Sequence, residues 1–383
     1  MNIPKLRFPE FGGEWEVKKL DDIAKIERGR FSPRPRNDPR FYGGSIPFVQ
    51  TSDVVKSNGR IRTYTQTLNH EGLKVSKLFP KGTILITIAA NIGHTGILDE
   101  DMACPDSLIG IQCNHETSPE FLNYYLSTQQ KRMDNVASEA AQKNINIEFL
   151  KPYSVPYTSI DEQEKIAGFL TVVDERIYLI DKKVEMLKQY KKGVMQKIFT
   201  QQIRFKDKND NDYPDWQEKR LDSIADIKKG TQLNGDELEV TGAYPMLNGG
   251  QRPSGYTNEY NSDAHTVTIS EGGNSCGYVS YMTEKFWSGG HLYTLLNLAA
   301  EKLFLYSQLK YKQEDIMRLR VGSGLPNIQK GDLGRLKLAV PSQQEQQKIA
   351  DFLTSLDDKI DLERTKLEQA KQFKKSLLQR MFV

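Results

Sequence analysis

The stretch Glu162-Gln-Glu-Lys-Ile-Ala-Gly-Phe-Leu-Thr171 returns 183 residues later as Glu345-Gln-Gln-Lys-Ile-Ala-Asp-Phe-Leu-Thr354. Lys188-Gln-Tyr-Lys-Lys-Gly-Val-Met-Gln-Lys-Ile-Phe199 returns at the same offset as Lys371-Gln-Phe-Lys-Lys-Ser-Leu-Leu-Gln-Arg-Met-Phe382. Between these markers the apolar positions Ile166, Leu170, Val173, Ile177, Ile180, Val184, Leu187, Val194 and Ile198 alternate in steps of four and three, broken once by Lys191. That is a heptad seam. Its copy reads Ile349, Leu353, Leu356, Ile360, Glu363, Leu367, Ala370, Lys374, Leu377, Met381, with Lys374 at the position of Lys191. Each segment predicts a helix of about 40 residues, roughly 60 Å long, with Asp161 and Ser342 as caps. A helix this long with so narrow an apolar seam requires a partner, and the other copy is the nearest one.

A third repeat sits upstream. Trp15-Glu-Val-Lys-Lys-Leu-Asp-Asp-Ile-Ala-Lys-Ile-Glu-Arg-Gly29 returns 201 residues later as Trp216-Gln-Glu-Lys-Arg-Leu-Asp-Ser-Ile-Ala-Asp-Ile-Lys-Lys-Gly230. The first copy therefore carries 18 more residues than the second between its Trp and its long helix. Flanks match while middles diverge, which is the pattern of one scaffold serving two different tasks. Inside each middle, Thr83-Ile-Leu-Ile-Thr-Ile-Ala and His265-Thr-Val-Thr-Ile-Ser read as strands. Short helices are expected at Pro119 behind Ser118 and at Lys302. Gln201 to Asp215 is polar and reads as the connection into the second half. The expected fold class is α+β: two domains in tandem (1–158 and 201–341), each followed by a long helix (159–200 and 342–383). The helices are expected to pair as an antiparallel coiled-coil spacer with pseudo-two-fold symmetry.

The 383 residues suit two domains, and a 27 % charged, 38 % hydrophobic composition excludes a wholly disordered chain. No apolar run approaches a membrane span, no signal core is visible, and three widely spaced cysteines suggest no disulfide framework, so a reducing, cytoplasmic setting is expected. A net charge of +3 says nothing of nucleic acid, so any such role must rest on local patches.

Catalytic motifs are not found. The five histidines (70, 94, 115, 265, 291) are scattered, and Gly322-Ser-Gly324 lacks the third glycine of a dinucleotide fingerprint, with Asn327 in its place. Pro214-Asp215 followed by Asp226-Ile-Lys228 imitates nuclease spacing. Its counterpart in the first copy is Gly13-Glu14 with Lys25-Ile26-Glu27, where the charges are exchanged, so surface charge is the better reading.

Binding residues are sought in the middles. Arg28-Gly-Arg-Phe-Ser-Pro-Arg-Pro-Arg-Asn-Asp-Pro-Arg40 holds Arg28, Arg30, Arg34, Arg36 and Arg40 against one Asp, with an aromatic among them and three prolines preventing a helix. Such a loop suits phosphate contact and bidentate reading of guanine. The second copy offers Lys228, Lys229 and Gln232, then Asn248, Gln251 and Arg252, whose amides suit adenine edges. Arg60, Arg62, Asn91 and Asn274, read as turn residues, complete the candidates.

The whole pattern resembles the specificity subunit of type I restriction-modification enzymes. The resemblance covers nearly all of the chain. It rests on Leu6-Arg-Phe8 and Ile203-Arg-Phe205, the two Trp-led starts, Ala141-Gln-Lys-Asn-Ile145 ahead of Val155-Pro156, and the two Glu-Gln-x-Lys-Ile-Ala openings. One departure is Gly324-Leu-Pro-Asn-Ile328, with Leu325 in place of Gln142, so a polar role for Gln142 is not implied in the second half. The resemblance implies two target-recognition domains, each reading half of a split site in double-stranded DNA. It also implies two methyltransferase subunits and motor-nuclease subunits as partners. S-adenosylmethionine, ATP and Mg²⁺ would act in those partners, with no cofactor or catalytic group in this chain. A coiled-coil adaptor with two ligand-binding domains not specific for DNA, or an unrecognised DNA-modifying enzyme, are the other readings of the residues.

Overall fold

The computed structural model describes residues 3–89, 91–139, 144–233, 238–322, 324 and 326–382. The chain divides into two units, Met1–Ile180 with Lys366–Val383, and Asp181–Thr365. Four helices matter below: α1 (Pro119–Thr128), α2 (Ile160–Phe199), α3 (Lys302–Tyr311) and α4 (Gln343–Met381). Among the described residues no helix is long and apolar enough to cross a membrane.

The first unit is built on a five-stranded sheet ordered Ala24–Arg28, Leu108–Cys113, Ile84–Thr87, Thr95–Leu98, Arg60–Ile61. Its central strand, Ile84-Leu-Ile-Thr87, is buried on both faces. Alternation along the strand explains how. Ile84 and Ile86 join Phe121, Leu122 and Leu126 of α1 in one cluster, while Leu85 joins Phe79, Leu98 and Leu108 in another. The second face carries a four-stranded sheet ordered Gln66–Leu68, Tyr42–Phe48, Met102–Cys104, Lys77–Phe79. Gly110 permits that contact, because a Cβ there would lie 2.3 Å from the Phe79 ring. Pro119 opens α1 and the Ser118 hydroxyl accepts from the Phe121 N–H, as its sequence predicts.

The second unit repeats the central strands. Asp226–Lys229, Leu292–Leu296, Thr266–Ser270 and Val279–Met282 lie in that order, all antiparallel. Lys229 pairs with Tyr293 as Arg28 pairs with Ile109, and Ile269 pairs with Tyr293 as Ile86 pairs with Ile109. The first strand thus recurs 201 residues on and the central strand 183, so the whole 18-residue difference falls between them. Here the four-stranded sheet of the first unit gives way to a three-stranded one, Gly255–Thr257, Tyr244–Leu247, Trp287–Ser288. The scaffold strands are shared; the elements grafted onto them are not.

The long helices supply both units. Every position of the two heptad seams is buried or half-buried. In the first unit, Ile166, Ala167 and Leu170 of α2 pack with Leu377 and Met381 of α4. In the second, Ile198 and Phe199 of α2 pack with Ile349, Ala350, Leu353 and Leu356 of α4. As α2 runs forward from Lys183 to Lys191, its partners on α4 run backward from Glu363 to Asp357, so the pairing is antiparallel. One cap differs from the sequence reading. The N–H of Glu162 is met by the Ser159 hydroxyl at 3.4 Å, and Asp161 lies inside the first turn, where its charge favours the helix dipole instead. Ser342 does accept from the Glu345 N–H, also at 3.4 Å.

Candidate nucleic-acid interface and assembly surface

The Arg28–Arg40 segment divides by partner. Arg36 Nη2 donates to both oxygens of Asp106 at 2.8 and 2.9 Å, and Arg40 Nη2 lies 2.6 Å from Asp38 Oδ2. The hydrogen bond from Arg40 holds the Asp38 carboxyl below its ordinary range. The other three arginines donate to backbone carbonyls: Arg28 to Asp106 (2.6 Å), Arg30 to Lys74 and Ser76 (3.1 and 3.0 Å), Arg34 to Pro33 (2.9 Å). These contacts orient the guanidinium groups without neutralising them, and all five side chains are exposed. Phe31 does not share that exposure. It is buried among Phe41, Tyr42 and Phe48, 5.0 Å from the last, so the aromatic of the loop is a core residue and is not free to stack on a base.

Arg60 and Arg62 are not brought to this loop. Arg60 belongs to a short strand, not a turn, at the sheet edge opposite Ala24–Arg28. It pairs with Glu120 at 2.7 Å and Asp99 at 3.3 Å, while Arg62 lies 3.7 Å from Asp99. Asn91 is exposed in the turn after the central strand, in the left-handed region (φ 53°). Asn274 is exposed at the matching place in the second unit.

The second unit gathers its candidates more tightly. Lys229 Nζ lies 2.6 Å from Glu271 Oε1, and His291 Nδ1 lies 3.5 Å from Glu271 Oε2. The His291 N–H donates to Asn248 Oδ1 at 3.1 Å. Gly289 and Gly290 separate Asn248 from Gln232: added Cβ atoms would sit 2.6 Å from Asn248 Oδ1 and 3.0 Å from Gln232 Oε1. Lys228, Gln251 and Arg252 are exposed. Glu271 and His291 do not stand out in the sequence; Glu271 follows the strand Thr266–Ser270 and His291 precedes the strand Leu292–Leu296, and they meet only because those strands pair. Gln142 and Leu325, the departure between the copies, lie outside the described residues.

The nuclease-like spacing dissolves. Asp226 accepts from Asn297 at 2.7 Å and Asp215 lies 3.6 Å from Arg204. Among the described residues no group of three or more His, Cys, Asp or Glu could hold a metal ion.

The repeated motifs serve assembly of each unit. Glu162 is 1 % exposed and receives Arg7 Nε and Nη2 at 2.7 and 2.8 Å, plus the Thr158 hydroxyl. Burial pushes its carboxyl up, but the bonds from Arg7 and Thr158 outweigh this and hold it below its ordinary value. Glu345, with no exposed surface, receives Arg204 Nε and Nη2 at 3.2 and 2.8 Å and Trp216 Nε1 at 3.1 Å. The neighbouring amides cap the domain helices. Gln163 Oε1 accepts from the Ser118 N–H (3.0 Å) and Gln346 Oε1 from the Glu301 N–H (2.7 Å). The arginine and the Glu-Gln opening are thus one clasp, made once per unit. The Trp adds a hydrogen bond to it in the second, whereas the buried Trp15 Nε1 of the first meets no hydrogen-bond partner among the described residues. Outward, Leu179 and Phe373 of the first unit are 65 % and 54 % exposed, and their repeat equivalents Leu362 and Tyr190 in the second are each 55 % exposed.

Comparison with known proteins agrees with this architecture. The model of the type I restriction modification DNA specificity domain matches residues 12–189 and 213–372. The MjaIX type I specificity subunit of Methanocaldococcus jannaschii is 23 % identical over 406 residues, covering 96 % of this chain and 92 % of that one. The EcoprrI specificity subunit of Escherichia coli is 22 % identical over 372 residues, covering 90 % and 88 %. The crystal structure of a type I restriction-modification S subunit from Mycoplasma genitalium superposes with a TM-score of 0.66 at 22 % identity, over 100 % of this chain and 99 % of that one. Carrying two matches to the specificity-domain model on a fold shared end to end with an S subunit, the chain belongs to the type I restriction-modification DNA specificity family.

Proposed function

We propose that this chain is the DNA sequence-recognition subunit of a type I restriction-modification complex, reading a bipartite site with one half per domain. The observation that carries this is the confinement of the 18-residue difference to the segment between the shared strands. Identical readers would give a palindrome; unlike segments on a common scaffold give two unlike half-sites. Arg28, Arg30 and Arg34 supply uncompensated positive charge to phosphates and guanine edges in one half. Gln232 and Asn248, ordered around Gly289-Gly290-His291, supply amide donors in the other, and the exposed Lys228 and Arg252 supply its positive charge.

The chain acts as reader and scaffold. Methyl transfer with S-adenosylmethionine belongs to two methyltransferase subunits, and ATP- and Mg²⁺-dependent translocation and cleavage to motor-nuclease subunits. The repeated exposed residues support two identical guests: each unit offers one leucine and one aromatic ring from its two helices. The test is a genome-wide map of methylated adenines in cells with and without this gene. Loss of one split motif of two unlike halves supports the reading. A motif that is palindromic, or a map that does not change, refutes it. The purified chain alone is expected to neither methylate nor cut; turnover abolished by Asp226→Ala would favour the enzyme reading instead.

A further inference from the structure

The heptad seams each contain a lysine, and each lysine finds a carboxylate on the opposite helix. Lys191 of α2 pairs with Asp357 of α4 in the second unit, and Lys374 of α4 pairs with Asp174 of α2 in the first, at 2.5 Å. Both lysine and aspartate recur at the offset of 183, so the two bridges are one device used twice. The lysine side chains are only 18 % and 23 % exposed. Asp174 is also tied to its domain, accepting from the Tyr124 hydroxyl of α1 at 2.8 Å.

A partly buried ion pair is a poor source of stability, because desolvation offsets most of the attraction; its best-attested use is to select one register. An apolar seam alone selects weakly, since a slip of one heptad again sets leucine against isoleucine. With the lysines the slip is penalised either way. Moved one heptad in one direction, Lys191 faces Ala350 and Lys374 faces Ala167, both buried in the native packing, and neither ammonium has a carboxylate. Moved the other way, Lys374 meets a new carboxylate at Asp181 but Lys191 faces Arg364, so one of the two bridges is exchanged for a like-charge contact. We propose that Lys191 and Lys374, with Asp357 and Asp174, are positioning residues that fix the register of α2 against α4 and thereby the gap between the two half-sites. The link to the gap rests on the function proposed above. One heptad is about 10 Å of helix, or roughly three base pairs at 3.4 Å each.

Register is read on the full chain without DNA. Cysteines replace Lys183 and Glu363, whose side chains are 2.9 Å apart, and a short bismaleimide bridges them. The natural thiols at Cys104 and Cys276 are buried and Cys113 half-buried; the chain without the new pair measures their background. Adding Lys191→Leu with Lys374→Leu strands Asp357 and Asp174, which keep 45 % and 28 % exposure, so the melting temperature is expected to fall only modestly. Cross-linking should fall to about a third, as when the native register and its two neighbours become comparable. A folded Leu variant that cross-links fully overturns the proposal. If it does not fold, charge exchange decides: Lys191→Asp with Lys374→Asp should abolish the cross-link, and adding Asp357→Lys with Asp174→Lys should restore it. Failure to restore also overturns it. With partner subunits, the Leu variant should methylate wild-type half-sites but lose the single gap length. A wild-type chain that cross-links in register yet directs no split-site methylation sinks the proposed function and leaves the register assignment standing.

Discussion

Arg204→Met should destabilise the second unit more than any other single change at the clasp, and the reason is what it leaves behind. Glu345 has no exposed surface, and its two oxygens are met by Arg204 and by Trp216 Nε1. Removing the guanidinium strands a buried carboxylate with one neutral donor. Breaking a buried ion pair from one side costs about 3–5 kcal/mol. Arg204 also holds the carbonyls of Tyr213 and Pro214 at 3.1 and 2.7 Å, so the value should fall in the upper part of that range. Arg204→Met combined with Glu345→Met removes both charges and fills the space with apolar atoms. It forfeits the Trp216 bond, about 1 kcal/mol, and shares with the single variant the loss of the Tyr213 and Pro214 carbonyl bonds, which cancels in the comparison. Urea unfolding followed by circular dichroism should therefore show the double variant more stable than Arg204→Met by at least about 2 kcal/mol, a coupling between contacting residues. If the single change costs under about 1 kcal/mol, or the double costs more than the single, the clasp does not hold the unit together in this way.

The matching clasp in the first unit carries a pH signature. Glu162 sits below its ordinary value of 4.5 when folded, so its contribution is complete above that pH and is lost as pH falls through the lower folded value. Acid unfolding of the wild type should steepen below about pH 4.5 relative to Glu162→Gln; equal slopes would contradict the assignment. For DNA, Ala at Arg28, Arg30 or Arg34 should lower the salt dependence of complex binding by about 0.9 for each phosphate no longer neutralised. Ala at Arg36 or Arg40, each already facing an aspartate, should change it little. Equal effects at all five would show that the ion pairs do not divide the loop.

The helices were legible because a heptad needs only local spacing: Ile166 to Ile198 and Ile349 to Met381 point inward as the four-three steps require. The partner of Lys191 was not legible, since Asp357 is fixed by a register that no single helix encodes. Glu162 and Gln163 stood out as repeated letters, but a repeat does not say that the carboxylate will receive an arginine and the amide will cap α1. The burial of Phe31 is not legible, because nothing local in a run of arginines and prolines says that Phe41, Tyr42 and Phe48 close over it. The Lys229–Glu271–His291 group was invisible because strand pairing, not spacing, brings it together.

Independent reading of one half-site by each domain, from a shared scaffold, is tested most directly by a domain exchange. Residues 20–140 are replaced with the corresponding segment of another family member, the complex is assembled with its methyltransferase subunits, and the methylated adenines are mapped. One half of the split motif should change while the other half and the gap stay as they were. A swap that alters both halves together, or neither, contradicts independent reading.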